Sequence, residues 1–319
     1  MMYDAIASFN EQLGFEPVVH NGDKLKPGRK FLVTGMGGSH LAADLIGSVG
    51  LPIELTVHKN YGLPKGDLSD YLVIASSYSG NTEEAIDGLQ TALDQNLKVA
   101  VMSVGGALLE IAKKHGLPYV QMPDTGIQPR SALGYSLMSM LKLMGLKKEL
   151  SELAVLGPKL TPKTHEKQGK ELAAQLAGSV PLIYSSTENQ AVAYNWKIKL
   201  NETGKIPAFY NVLPELNHNE MTGFDVVAAT QKLSANIQCI FLSDSNDHPQ
   251  IKKRMAVLEK LYRARGLAVV NIPLQGTSRW ERILRSIILA DWFSYYTAEH
   301  YGVEAEQVPM VEQFKQLIS

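Results

Sequence analysis

The sequence is poor in cysteine, nearly balanced in charge and free of long apolar spans, and each of these absences removes a class of protein. Only Cys239 occurs in 319 residues, so no disulfide can form within the chain, and a reducing compartment is expected. It lies in the apolar run 237–242, where a small core residue is a better reading than a nucleophile. Thirty-one basic residues face 32 acidic ones, for a net charge of -1 and a sequence pI near 6.7. No global field would hold nucleic acid or an anionic membrane, so any anion must be bound locally. No helix-turn-helix segment or basic arm is visible. The residues from Met1 to Glu11 carry neither a basic start nor a continuous apolar core, and no span is long enough to cross a bilayer; a cytoplasmic, membrane-free protein is expected. No two histidines share a helix face at ligand spacing, and His218 with Glu220 alone makes no site, so no metal is expected.

What is present is an ordinary globular composition, 45% hydrophobic and 20% charged, in a chain long enough for two domain-sized cores. Strand-like and helical runs alternate through the first half: 31–34, 41–48, 53–57, 71–75, 82–94, 98–103, 108–114 and 118–122. This is the signature of an α/β fold with a parallel sheet. The segment 131–146 is apolar on most of its surface and predicts a buried helix. The pattern breaks around Gly157-Pro158, and a polar helix over about 162–176 leads onward. The scheme then repeats as 180–186, 191–200, 237–242, 251–264 and 268–272, followed by helical regions at about 280–300 and 308–317. Two domains are expected, 1–156 and 157–319, each a parallel sheet flanked by helices.

The most informative stretch runs from Tyr71 to Glu84. An apolar strand stops at a cluster of hydroxyls, a glycine and an asparagine, and an amphipathic helix opens near Asn81 or Thr82. Ser77, Ser79 and Thr82 would then surround a helix N-terminus, where unpaired N–H groups and the helix dipole favour an anion. An ordinary strand-to-helix turn with a serine cap is the plainer alternative. Upstream, Phe31 to Ser39 is a second strand running into glycines and a serine. A dinucleotide fingerprint would begin at Gly35-x-Gly37, but its third glycine position holds His40, and the next strand ends at His58 instead of an acid for a ribose. In the second half the corresponding loop, Ser243 to His248, carries Asp244 and Asp247, whose charge would repel a phosphate.

Ser77-Tyr-Ser-Gly-Asn-Thr-Glu-Glu84 resembles the signature of sugar isomerase (SIS) domains, which hold phosphosugars by the phosphate. The blocks Asn201-Glu202-x-x-Lys205 and Pro214-Glu-Leu-Asn-His-Asn-Glu220 resemble the bifunctional phosphoglucose/phosphomannose isomerases. The resemblance runs from Gly35 to about Gly223. It implies two SIS-type domains and a phosphate held by Gly38, Ser39, Ser77, Ser79 and Thr82. It implies interconversion of glucose 6-phosphate and fructose 6-phosphate, with mannose 6-phosphate also accepted, since glucose and mannose differ only at C2 and share one enediolate.

Such a reaction needs a base to carry a proton between C1 and C2, a group to stabilise the enediolate, and an acid/base pair to open the sugar ring. The resemblance makes Glu202 the base and His218 a ring-opening group that enters from a neighbouring subunit of a homodimer. The polar setting of His218 fits proton transfer better than a core role. Arg130 carries a permanent charge suited to a developing enediolate, and the resemblance assigns it that task. Lys315 resembles the family's terminal lysine, used with the histidine; the tail Gln307-Val308-Pro309 departs from the family in offering no threonine nearby. An enediolate route needs no cofactor. The rival from another class is a non-catalytic phosphosugar sensor, which has no use for Glu202. An aminosugar synthase would need a cysteine nucleophile in a glutaminase domain, and a deaminase is the remaining option.

Overall fold

The computed structural model describes residues 1–318 and divides them into two compact units, parting between Thr161 and Pro162. After α1 (Met2–Ala7), the first unit contains β1 (Val19–His20), β2 (Lys30–Thr34), α2 (Leu41–Gly47), β3 (Glu54–His58) and β4 (Leu72–Ser76). It continues through α3 (Glu83–Asp94), β5 (Lys98–Ser103), α4 (Gly106–His115), β6 (Tyr119–Gln121), α5 (Leu133–Leu143) and α6 (Lys147–Leu156). The strand order is β1-β6-β5-β4-β2-β3, parallel except where β1 meets β6. Every residue of β4 is buried, as a central strand covered on both faces requires, and this explains its unbroken apolar run. Leu32, Val73, Leu89, Val101 and Leu108 meet in the core on one side of this sheet.

The second unit contains α7 (Glu166–Gln175), β7 (Val180–Ser186), α8 (Gln190–Glu202), β8 (Phe209–Leu213), α9 (Glu220–Gly223) and α10 (Gln231–Ser234). There follow β9 (Ile237–Ser243), α11 (Pro249–Ala264), β10 (Ala268–Pro273), α12 (Arg279–Tyr301) and α13 (Pro309–Ile318). Its four parallel strands run β10-β9-β7-β8. This is the order of β5-β4-β2-β3 in the first unit, so the repeat inferred from the alternation of runs is a repeat of topology. Buried α12 packs against α7 and α8. There the indole of Trp196 donates to Ser286 Oγ at 2.9 Å and that of Trp292 to the Pro162 carbonyl at 2.8 Å. Cys239 is fully buried, and burial pushes its thiol up to about 12.

Besides the short elements α1, β1, α9 and α10, a strand and a helix have no counterpart among the runs expected from sequence. The strand β8 follows Pro207 and is bounded by Pro214; its residues are mostly half exposed, so no continuous apolar run announces it. Pairing with β7, Leu182 opposite Phe209 and Ser186 opposite Leu213, makes it a strand. The helix α6 has only Leu153 and Leu156 buried, too few for a strong periodic signal.

Candidate active site

At the ends of β2, β4 and β5 the first unit builds one connected set of loops. The turn Gly37–Ser39 lies directly against Pro129–Arg130. A Cβ on Gly38 would sit 2.9 Å from the Arg130 amide nitrogen and 2.9 Å from the Pro129 carbonyl carbon, so only glycine allows this approach. Ser39 is buried; its Oγ accepts from the Tyr78 amide at 2.9 Å, and its carbonyl accepts from Ser76 Oγ at 2.8 Å. Accepting from Tyr78 leaves the Ser39 hydroxyl proton available to a ligand. Thus the glycine loop, the serine loop and the Arg130 turn form a single structure.

Within the serine loop, the fully buried Ser77 accepts from the Gly80 amide at 3.0 Å and shares a 2.8 Å hydrogen bond with Thr82 Oγ1. Exposed Ser79 accepts from the Asn81 amide at 3.2 Å. Gly80 has φ +77°, and a Cβ there would lie 1.7 Å from the Gly105 carbonyl oxygen. Asn81 accepts from the Ala107 amide at 3.0 Å and so fixes the loop to the start of α4.

Thr82 is the residue before α3, but its side chain makes no capping bond to that helix; its hydroxyl is engaged by Ser77 instead. Among the described residues no side chain is bonded to the first-turn amides of α3, and free amides at a helix start are the arrangement that receives an anion. Glu83, the first residue of α3, accepts from the Tyr61 hydroxyl at 3.1 Å. Arg130, 1% exposed, stands in the tight turn Pro129–Ser131 ahead of α5. A surface arginine at a helix start is thereby excluded.

The same strand ends in the second unit are filled by its own carboxylates. Asp247 accepts from Ser186 Oγ at 2.7 Å and from Asn189 Nδ2 at 3.2 Å, and burial raises its carboxyl above the usual range. Buried Asp244 accepts from Arg279 at 3.0 Å and pairs with Arg282 at 3.3 Å. Groups that would greet a phosphate are already satisfied internally.

Glu202 is the last residue of α8, and the residues of its motif build the frame around it. Asn201 Nδ2 donates to the Ile206 carbonyl at 3.0 Å. Lys205, at φ +57°, donates from Nζ to the Glu202 carbonyl at 2.5 Å and to the Gln307 carbonyl. Behind Glu202, buried Lys199 and Asp291 form a 2.5 Å ion pair between α8 and α12. The sequence reading missed this pair, since a lysine inside a helical run reads as a solvated face; the apolar residues on either side, Ile198 and Leu200, were the available signal.

His218 is exposed, in a tight turn over Glu215–His218. Lys315 is exposed on α13, where its Nζ lies 2.8 Å from Glu312. Neither bonds to Glu202 among the described residues. The structure thus assembles Gly38, Ser39, Ser77, Ser79, Thr82 and Arg130 in one place, and leaves His218 and Lys315 exposed. No group of three or more His, Cys, Asp or Glu side chains among the described residues has metal-binding geometry, and no described helix is long and apolar enough to cross a membrane.

A family model described as the bacterial phospho-glucose isomerase C-terminal SIS domain matches residues 165–318. A protein of Aquifex aeolicus named bifunctional phosphoglucose/phosphomannose isomerase is 31% identical, over 99% of this chain and 97% of its own. One of the same name from Caldicellulosiruptor bescii is 33% identical over 90% and 88% of the two chains. Among solved structures, a putative phosphosugar isomerase from Clostridium difficile superposes with a TM-score of 0.70 at 14% identity, covering 96% of this chain and 95% of its own; this last likeness concerns the fold. By sequence similarity along nearly its whole length, the chain belongs to the bifunctional phosphoglucose/phosphomannose isomerase family.

Proposed function

We propose that this protein is a sugar-phosphate isomerase interconverting glucose 6-phosphate and fructose 6-phosphate, with mannose 6-phosphate as a further substrate. The observation that carries the reading is Glu202, a carboxylate at the end of α8 whose motif neighbours hold the backbone there, Lys205 at the Glu202 carbonyl and Asn201 at the Ile206 carbonyl that follows. A phosphosugar sensor needs the phosphate cradle but not this carboxylate. The substrate phosphate sits at the first turn of α3, bound by the α3 amides and the hydroxyls of Ser39, Ser77, Ser79 and Thr82. Gly38 lets the Arg130 turn close against this loop. This fixed end places the reacting carbons, and the binding energy is the same in ground and transition states.

Glu202 then takes the proton from C2 of the aldose and returns it to C1. Arg130 balances the negative charge that grows on the enediolate oxygens. His218 and Lys315 transfer the protons that open the ring. In this reading residues 1–156 and 157–319 are two SIS-type domains in a cytoplasmic enzyme, and two copies form a homodimer in which His218 of one chain serves the site of the other. Supporting that exchange is the exposure of His218 on its own chain.

A coupled assay with glucose 6-phosphate and mannose 6-phosphate, with and without chelator, tests the activity. Turnover should be undiminished by the chelator. Glu202→Gln should lower kcat by about 10²–10⁴-fold while fructose 6-phosphate still binds in calorimetry. Near-normal turnover of this variant would return the sensor to first place.

A further inference from the structure

The catalytic reading above gives Glu220 no task, yet both oxygens of its carboxylate are engaged. It accepts from the Tyr184 hydroxyl at 2.5 Å and from Asn211 Nδ2 at 2.6 Å. Tyr184 comes from β7 and Asn211 from β8, so a single side chain in the loop is bonded to two adjacent strands. Tyr184 is completely buried, with its ring against Phe241 and Tyr262. Burial, then the neighbouring Tyr262 and the bond to Glu220, keep its hydroxyl protonated. In this bond the Tyr184 hydroxyl donates and the Glu220 carboxylate accepts.

The rest of the segment repeats the theme. Leu216 is fully buried in the cluster of Tyr184, Leu213, Phe241 and Tyr262. Asn219 accepts from the Glu220 amide at 2.5 Å and donates to Glu215 Oε1 at 2.8 Å, closing the loop on itself. His218 lies between the two anchors, Leu216 and Glu220, and is exposed. A side chain that must serve a site it does not help to fold gains accuracy when its support cannot move.

Resting on the function proposed above, we propose that Glu220, held by Tyr184 and Asn211, is a positioning residue that sets the place of His218. Glutamine at this position keeps the length but offers one acceptor oxygen where two are used. Asn211 cannot simply turn over to compensate, because its Oδ1 already accepts from the Val212 amide at 2.8 Å.

The test is steady-state kinetics of Glu220→Gln, Tyr184→Phe and the double variant with glucose 6-phosphate, alongside thermal unfolding of each. The folded Glu220→Gln enzyme should lose about 10- to 100-fold in kcat, the range that small misplacements produce, with KM changing far less. Tyr184→Phe should lose less. The double variant should lose less than the product of the two single losses, because both changes act on one anchor. A folded Glu220→Gln with full kcat overturns the proposal, as does a loss of activity that only follows the unfolded fraction. A wild-type chain inactive on every hexose 6-phosphate tried overturns the isomerase reading and this role with it. An active wild type with unaffected variants overturns this role alone.

Discussion

Lys199 Nζ lies 2.5 Å from Asp291 Oδ1 in an ion pair between α8 and α12, with both side chains buried. It stands three residues before Glu202, on the helix that carries that carboxylate. Removing either partner breaks this buried pair. Lys199→Met or Asp291→Leu should each cost about 3–5 kcal/mol. In the double variant most of that loss should return, since a buried pair replaced by apolar side chains of similar volume is often close to neutral. Urea denaturation of the three variants measures the difference, and a double variant no more stable than either single one would contradict it.

The proposed phosphate loop offers a contrast between chemistry and sterics. Thr82→Ala removes one hydroxyl and should raise KM more than it lowers kcat, by up to about 1.5–3 kcal/mol of binding for a bond to a charged group. Gly80→Ala should be much worse. Its Cβ would fall 1.7 Å from the Gly105 carbonyl oxygen at φ +77°, so the loop itself must rearrange. Fructose 6-phosphate binding by calorimetry should be weakened in the first variant and lost in the second. Equal, wild-type affinity in both would reduce the loop to a cap.

The homodimer with shared sites proposed above predicts a complementation signature. Glu202→Gln and His218→Ala, each nearly inactive, are mixed by co-expression. A heterodimer with shared sites then has one site with both lesions and one with none. Random association should restore activity in roughly a quarter of all sites. Verified heterodimers without recovered activity would show that each site belongs to one chain.

Asp247 should leave its mark on the pH dependence of stability. Burial and the charge of Asp244 raise its carboxyl above the usual value, while the Ser186 hydroxyl opposes them. The folded state therefore holds this proton more tightly than the unfolded chain does. Its contribution is greatest below about pH 3.9, the ordinary aspartate value, and declines as pH rises through the elevated folded value. Asp247→Asn removes the titration, so its urea midpoint should fall less than that of wild type over this interval. A steeper fall in the variant would rule out the assignment.

Much of this architecture follows from local pattern. A parallel strand covered on both faces must be apolar throughout, so β4 and β7 stand out in the sequence, and the amphipathic runs after β4 and β7 become α3 and α8. Ser77 to Glu84 and Asn201 to Lys205 are contiguous, so their chemistry is legible in order along the chain. The edge strand β8 is not legible in this way, because its half-exposed residues gain their structure from pairing with β7. Nor are the relationships between distant residues. That Gly38 must be glycine depends on Arg130; that Ser39 is oriented depends on Tyr78; Lys199 pairs with Asp291 from a distant helix, and Glu220 is held by Tyr184 and Asn211 from two strands. Sequence periodicity records which face of an element is apolar. Only tertiary packing, which brings separate elements within hydrogen-bonding distance, decides which polar side chain on that face meets its partner.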